Sequence, residues 1–111
     1  MPRGYSPIYT ECYTSMLVLI TYDVSTTSKE GRRRLRKMAQ ACKNYGQRVQ
    51  KSVFECLVEA EHWVVLRNDL LAIINPDEDS LRFYPLDETV RRGIEHFGVK
   101  APIDLEGPLI F

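Results

Sequence analysis

The chain has 111 residues, of which 44% are hydrophobic and 27% are charged. This composition excludes a disordered tail and predicts a single compact domain, because a chain of this length builds one hydrophobic core. Fifteen basic and fifteen acidic side chains give a formal net charge of +0, so overall charge gives no argument for a nucleic-acid partner.

The cysteines and the longest apolar run point to a cellular compartment. Three cysteines without C-x-x-C spacing argue against a disulfide scaffold or a zinc finger and favour a reduced protein of the cytoplasm. The longest wholly apolar run, Met16 to Ile20, is far shorter than the roughly 18 residues that a membrane-spanning helix needs. We therefore expect a soluble protein without a membrane partner.

The chain begins with a segment that shows no helical or strand period. We expect residues 1–15 to form a flexible extension outside a single domain of residues 16–111. Met16 to Tyr22 is apolar without alternation, which predicts a short strand that is buried on both of its faces. Asp23 ends this strand and precedes a polar loop.

The next segment is predicted to be a helix from Ser28 to Tyr45. Thr27 and Glu30 fit a capping box, in which each side chain satisfies a free backbone amide of the first turn. Gly46 offers a left-handed stop. Between these ends, apolar residues recur at spacings of three and four, at Leu35, Met38, Cys42 and Tyr45.

A hairpin and a second helix follow. Two short extended runs, Arg48 to Gln50 and Val53 to Val58, predict the hairpin, although a single bent strand fits the same residues. Apolar residues at helical spacing predict the helix over Glu61 to Ile74. Asn75-Pro76 ends it, because proline disfavours a helical residue before it.

The C-terminal third is less regular. Ser80 to Leu86 alternates as a strand, and Pro85 places that strand at an edge of its sheet. Val90 to Val99 is a candidate for one more strand, and Leu109 to Phe111 is a short apolar tail.

The order of these elements is strand, helix, hairpin, helix, strand and a C-terminal excursion. It predicts an α+β fold of the ferredoxin-like βαββαβ type, with an additional C-terminal strand and both helices on one face of the sheet. That arrangement leaves the other face bare, yet the first strand is apolar on both of its faces. Because contiguous apolar patches are rarely left in water, we expect a second copy of the chain to cover this face in an obligate homodimer.

Positive charge is concentrated between Lys29 and Lys51. Nine basic residues and one acidic residue lie there, for a net charge of +8 that is balanced by −8 in the rest of the chain. On a helical wheel, six basic residues cluster opposite the apolar face: Lys29, Arg32, Arg33, Arg36, Lys37 and Lys43. A solvated helix face is the simpler interpretation. The alternative is a nucleic-acid contact, because each neutralised phosphate releases condensed counterions.

Asp23 is the best-placed acidic residue for catalysis or for a metal, since it ends a central strand just before a polar loop. The simpler interpretation is that it organises the turn from Ser25 to Ser28. In a dimer, two copies near the two-fold axis would supply two carboxylates. Mg²⁺ commonly binds one or two carboxylates together with phosphates and waters, and a shared Mg²⁺ would polarise a phosphodiester and activate water.

Three stretches together resemble the CRISPR-associated protein 2 family: Leu17 to Val24, the arginine-rich first helix ending in Asn44-Tyr45-Gly46, and Arg48 to Glu55. The Tyr-Asp ending of the first strand and the R-V-Q-x-S-V-F stretch at this separation are jointly specific. The resemblance spans Met16 to Phe111.

The resemblance implies a ferredoxin-like homodimer that acts in CRISPR adaptation, the capture of foreign DNA, together with CRISPR-associated protein 1, the integrase. It also implies a metal-dependent nuclease that cuts single-stranded RNA or double-stranded DNA. The family's last strand often crosses to the partner subunit, which is where this resemblance would place Leu109 to Phe111.

The resemblance also implies roles for individual residues. Asp23 matches the family's metal-binding aspartate and is therefore the expected catalytic residue. Tyr22, Arg48 and Phe54 occupy neighbouring motif positions. The family's first-helix arginines match best at Arg34 and Arg36, which adds Arg34 to the expected nucleic-acid contacts.

Three other functions stay open. One is a structural adaptor that clamps duplex DNA for an integrase and in which Asp23 is catalytically idle. Another is a toxin-like ribonuclease of related fold. A ferredoxin-like regulatory domain for a small ligand ranks last, because it would need no basic helix face.

Overall fold

The computed structural model describes residues 15–99, which build one four-stranded antiparallel sheet and three helices. In chain order the elements are β1 (Ser15–Asp23), α1 (Lys29–Lys43), β2 (Gly46–Gln50), β3 (Val53–Glu59), α2 (Ala60–Ile73), β4 (Ser80–Leu86) and α3 (Glu88–Arg92). The strand order is β2-β3-β1-β4, with β1 and β3 in the centre. The ferredoxin-like α+β fold is therefore confirmed, including the hairpin and the position of β4 at an edge.

Helices α1 and α2 cover one face of the sheet, which we call the helix face. Alternation along β1 and β3 sends every second side chain to it. The core consists of Val18, Ile20, Tyr22, Phe54, Cys56 and Val58 from the sheet with Met38, Cys42, Leu66 and Leu70 from the helices. The opposite face, which we call the open face, carries Leu17, Leu19, Thr21 and Asp23 of β1.

The first turn of α1 differs from the predicted capping box. The N-cap is Ser28, whose hydroxyl accepts a hydrogen bond from the Gly31 N–H at 3.0 Å. The Thr27–Glu30 prediction was wrong by one residue. Because the residue three positions after the true cap is a glycine, no side chain is there to bond back to the cap.

The end of α1 also differs from prediction. The helix ends at Lys43, and its C-cap Asn44 keeps right-handed angles. Gly46 is not a left-handed stop, since it is the first residue of β2. A glycine is needed there because a Cβ would collide with the Glu55 carbonyl oxygen on the neighbouring strand.

The predicted strand from Val90 to Val99 was wrong. Asp87 caps the short helix α3 by accepting the Val90 N–H at 2.9 Å, and Glu88 pairs with Arg91 and Arg92 one turn later. These local bonds favour a helical turn over an extended chain. The extension predicted for residues 1–15 was wrong at Ser15, which is the first residue of β1. The rest of that extension and the apolar tail at Leu109 to Phe111 lie outside the described residues. No helix within residues 15–99 has the length and apolar character to cross a lipid bilayer.

Candidate active site and nucleic-acid interface

Asp23 lies at the end of a central strand, where it pairs with Ser80 of β4. Its side chain is exposed on the open face. Within residues 15–99, the Asp23 carboxylate receives no hydrogen bond and forms no ion pair. The alternative role considered for it, organising the turn after β1, belongs to Asp79, which accepts the Ser25 N–H at 2.9 Å.

The open face changes character along β1. At one end, Leu17 lies between Leu57 and Leu86, and the row is apolar. At the other end, Thr21 lies opposite Arg82, one register step from Asp23 on the same face. Between these ends, the row of Leu19 is mixed, with Glu55 on one side and Tyr84 on the other. Asp23 therefore occupies the polar end of a face that is apolar at the row of Leu17.

Arg82 is a cation on the open face that sequence reasoning missed. Its guanidinium carbon lies 5.6 Å from the centroid of the Tyr84 ring, two residues along β4. The alternation in Ser80 to Leu86 carried the signal, but only the β1–β4 register places Arg82 beside the row of Asp23. The open face thus offers a carboxylate and a guanidinium at the same end.

The three motif neighbours are brought together, but on the helix face. The Tyr22 and Phe54 rings stack with centroids 6.3 Å apart, and the Arg48 guanidinium carbon lies 5.1 Å from the Phe54 centroid. Tyr22 is only 5% exposed, and Arg48 and Ser52 approach its hydroxyl without hydrogen-bonding geometry. Burial raises the pKa of Tyr22, and the three side chains pack against one another on the helix face.

The basic residues predicted to bind nucleic acid line the outer surface of α1. Arg32, Arg33, Arg36 and Lys37 are exposed together with Lys29, and Lys43 is half-buried. We call these six residues the basic ridge. Because α1 packs on the helix face through Met38 and Cys42, the basic ridge and the Asp23 carboxylate lie on opposite sides of the sheet.

Arg34, in contrast, turns away from the basic ridge. Its Nε donates to Asp79 Oδ2 at 2.8 Å, and its Nη2 donates to Glu78 Oε1 at 3.1 Å. The Arg34 side chain is 16% exposed and the Asp79 side chain is fully shielded. The Arg34 guanidinium holds the pKa of Asp79 at about 2. The sequence prediction that placed Arg34 among the nucleic-acid contacts could not see this buried partner, which lies 45 positions away.

The carboxylate oxygens of Asp23 are ligands of the kind that Mg²⁺ prefers. Within residues 15–99 no cluster of three or more His, Cys, Asp or Glu residues could hold a metal ion. Mg²⁺ is satisfied by one or two carboxylates when phosphates and waters complete its shell, and no partner among residues 15–99 competes for Asp23. Cys42 and Cys56 offer no alternative, because burial raises the pKa of both thiols.

Comparisons with known proteins agree on one family. The family model described as "CRISPR associated protein Cas2" matches residues 16–93. The chain belongs to the Cas2 family. A "CRISPR-associated endonuclease Cas2" from Halalkalibacterium halodurans is 55% identical over 96 residues, covering 86% of this chain and all of that protein. A "CRISPR-associated endoribonuclease Cas2" from Chlorobaculum tepidum is 58% identical over 95 residues, covering 86% of this chain and 99% of that protein.

A solved Cas2 structure has the same fold. Cas2 of Streptococcus pyogenes superposes with a TM-score of 0.66 and 48% sequence identity, covering 75% of this chain and 100% of that chain. The fold and the family expected from the Tyr22-Asp23 strand ending and the Arg48 to Phe54 stretch are thereby confirmed for this Cas2.

Proposed function

We propose that this Cas2 is a homodimeric, Mg²⁺-dependent phosphodiesterase that binds nucleic acid during CRISPR adaptation, with Asp23 of each subunit as the catalytic residue. One observation carries the proposal. Asp23 is exposed at the end of a central strand, has no partner of its own within residues 15–99 and lies on the face opposite α1 and α2. The relatives' names add support, since one is called an endonuclease and another an endoribonuclease.

The open face supports the homodimer. Leu57 at its apolar end is 43% exposed, and Tyr84 on the neighbouring row is also exposed. Downstream of α3, Phe97 and Val99 are exposed as well. Exposed apolar side chains on a sheet face, such as Leu57 and Tyr84, favour contact with a protein partner over contact with bulk water. A second copy packed there would bring two Asp23 carboxylates into one assembly.

At this site, a carboxylate would bind the metal ion and cationic side chains would bind phosphates. A bound Mg²⁺ would polarise a phosphodiester and lower the pKa of a water. Asp23 would hold the ion through its carboxylate oxygens, and Arg82 on the same face is a cation suited to a phosphate oxygen. The basic ridge would bind the flanking phosphates through a contact that carries no sequence information.

A second function is favoured by the placement of the basic ridge. Because the ridge and Asp23 lie on opposite sides of the sheet, nucleic acid can be held without any contact to the carboxylate. In that case the dimer is a non-catalytic adaptor that clamps DNA in the cytoplasm for CRISPR-associated protein 1, the integrase. The two functions differ in whether Asp23 is needed.

The experiment compares Asp23→Asn with Asp69→Asn, which removes one exposed carboxylate from α2. Cleavage of single-stranded RNA and of double-stranded DNA is measured with Mg²⁺ and with a chelator. We expect Asp23→Asn to abolish cleavage and Asp69→Asn to leave it unchanged, while both variants keep the dimer mass and DNA retention. Cleavage that persists in pure Asp23→Asn protein removes Asp23 from the mechanism. Wild-type protein that binds DNA without cutting either substrate establishes the adaptor.

A further inference from the structure

A single buried carboxylate joins three separate segments next to Asp23. Asp79 Oδ1 accepts the Ser25 N–H at 2.9 Å and an Arg34 Nη2 hydrogen bond at 3.2 Å. Asp79 Oδ2 accepts Arg34 Nε at 2.8 Å and the Asn75 N–H at 2.9 Å. The segments are the loop after β1, the helix α1 and the loop before β4. We call this group of bonds the Asp79 clamp.

The Asp79 clamp holds the backbone on both sides of Asp23. Ser25 lies two residues after Asp23, in the loop that follows β1. Asp79 directly precedes Ser80, the residue that pairs with Asp23 across the β1–β4 ladder. The ladder ends at this pair, and strand ends with few tertiary contacts open most readily. The Asp79 clamp therefore holds the end of β1 and the start of β4 at one side chain, the Asp79 carboxylate.

Gly31 provides a second contact between helix α1 and the loop after β1. A Cβ on Gly31 would collide with the Ser25 carbonyl oxygen, so the loop after β1 rests directly on the backbone of α1. Arg34 follows one helical turn later. Its Nη2 also donates to Glu78 Oε1 at 3.1 Å. This additional bond further fixes the orientation of the guanidinium group. Arg34 is thus held against the loop before β4, Arg32 donates to the Thr26 carbonyl oxygen at 3.2 Å, and Arg33 faces solvent.

We propose that Arg34 and Asp79 are positioning residues for the Asp23 site, an inference that rests on the proposed function. They touch neither the metal nor the substrate. They fix the direction in which β1 ends, and therefore where the Asp23 carboxylate stands relative to the two-fold axis. Partners that orient a metal-binding side chain commonly change metal affinity by 10–100-fold when they are removed.

The test compares Arg34→Ala with Arg33→Ala. Both variants remove one arginine from α1, but Arg33 is exposed and lies outside the clamp. Mn²⁺ binding to the full-length protein without substrate is followed by electron paramagnetic resonance, at a temperature where thermal melts show every variant folded. We expect Arg34→Ala to weaken Mn²⁺ binding about tenfold and Arg33→Ala to leave it unchanged.

A second variant distinguishes the effect of the Arg34 hydrogen bonds from the effect of its positive charge. Arg34→Lys keeps the positive charge but cannot form the paired Nε and Nη2 bonds to one carboxylate. We expect its Mn²⁺ affinity to lie between those of wild type and Arg34→Ala. This variant also keeps the question answerable if Arg34→Ala does not fold. Amide hydrogen exchange at Ser25 and Asn75 should be faster in both Arg34 variants than in Arg33→Ala.

The outcomes distinguish this inference from the proposed function. Equal Mn²⁺ affinity in the Arg34 and Arg33 variants, alongside binding that Asp23→Asn abolishes, overturns the positioning role and leaves the site intact. Mn²⁺ binding that Asp23→Asn does not change overturns the proposed site itself. Full affinity in Arg34→Lys also overturns the inference, because it would leave only a charge effect.

Discussion

Tyr22 and Asp23 are consecutive residues of β1, and their side chains lie on opposite faces of the sheet. Tyr22 is buried under the helices, whereas Asp23 is exposed on the open face. The alternation of a strand requires this separation. Two residues that are neighbours in the sequence motif therefore do different work, because one packs the core and the other is available for chemistry.

The buried hydroxyl of Tyr22 gives the first prediction. Within the described residues it has no hydrogen-bond partner, and a buried polar group without a partner is a cost to folding. We expect Tyr22→Phe to raise the free energy of unfolding by about 1 kcal/mol and to leave cleavage unchanged. Urea titrations of Tyr22→Phe and of the exposed-residue control Tyr84→Phe measure this. A less stable Tyr22→Phe protein would mean that the hydroxyl has a bond that stabilises the fold.

The basic ridge gives the second prediction. Changing Arg32, Arg33 and Arg36 to Glu should weaken DNA binding and reduce the slope of log affinity against log salt, by about 0.9 for each lost phosphate contact. Fluorescence anisotropy with one duplex at several salt concentrations measures the slope. Arg33→Glu and Arg67→Glu form a matched pair, since both arginines are exposed on helices and only Arg33 belongs to the ridge. If Arg33→Glu and Arg67→Glu change DNA binding equally, the basic ridge is a solvated helix face and not a nucleic-acid contact.

Patterns with a local physical cause could be predicted from the sequence. The apolar run before Asp23, the amphipathic period of α1 and the strand from Ser80 to Leu86 each follow from neighbours in the chain, and each element was confirmed. The α1 cap was missed by one residue because Thr27 and Ser28 both carry a suitable hydroxyl. The strand expected over Val90 to Val99 was wrong because the prediction followed its apolar residues and did not include Asp87 as a helix N-cap.

Features that depend on register or on distant pairs could not be predicted. Gly46 fits the pattern of a helix stop, yet it is required by the Glu55 carbonyl on the next strand. Arg34 belongs to a run of three arginines, and nothing local separates it from Arg32 and Arg33. Only the fold brings Asp79 to it. The same holds for Arg82, whose place beside the row of Asp23 follows from the β1–β4 pairing.

The buried Asp79 carboxylate gives the third prediction, which concerns stability against pH. The pKa of Asp79 lies at about 2 in the folded protein, below its usual value of 3.8, mainly because Arg34 donates hydrogen bonds to the carboxylate. A carboxyl group whose pKa is lower in the folded state stabilises the fold above its unfolded pKa. That stability is lost as the pH falls from about 4 toward 2.

Asp79→Asn tests this dependence. We expect the variant to lower the free energy of unfolding at pH 7 by about 2 kcal/mol, because charge-assisted hydrogen bonds are replaced by weaker ones. Its melting temperature should also fall less steeply than that of wild type between pH 5 and pH 2.5. Asp77→Asn is the control in the same loop, since Asp77 is exposed. Parallel pH profiles for wild type and Asp79→Asn would contradict the prediction.

The fourth prediction concerns the homodimer and uses two leucines of equal exposure. Leu57 on the open face is 43% exposed, and Leu71 on α2 is 44% exposed. If a second copy covers the open face, Leu57→Glu would bury a charge in the interface, which a stable dimer does not tolerate without a partner. We expect Leu57→Glu to be a folded monomer by light scattering and circular dichroism, and to lose cleavage because two Asp23 carboxylates no longer meet. Leu71→Glu should remain a dimer. A Leu57→Glu protein with the dimer mass, or a wild-type protein that is a stable monomer at dilute concentration, would show that the open face is not the subunit interface.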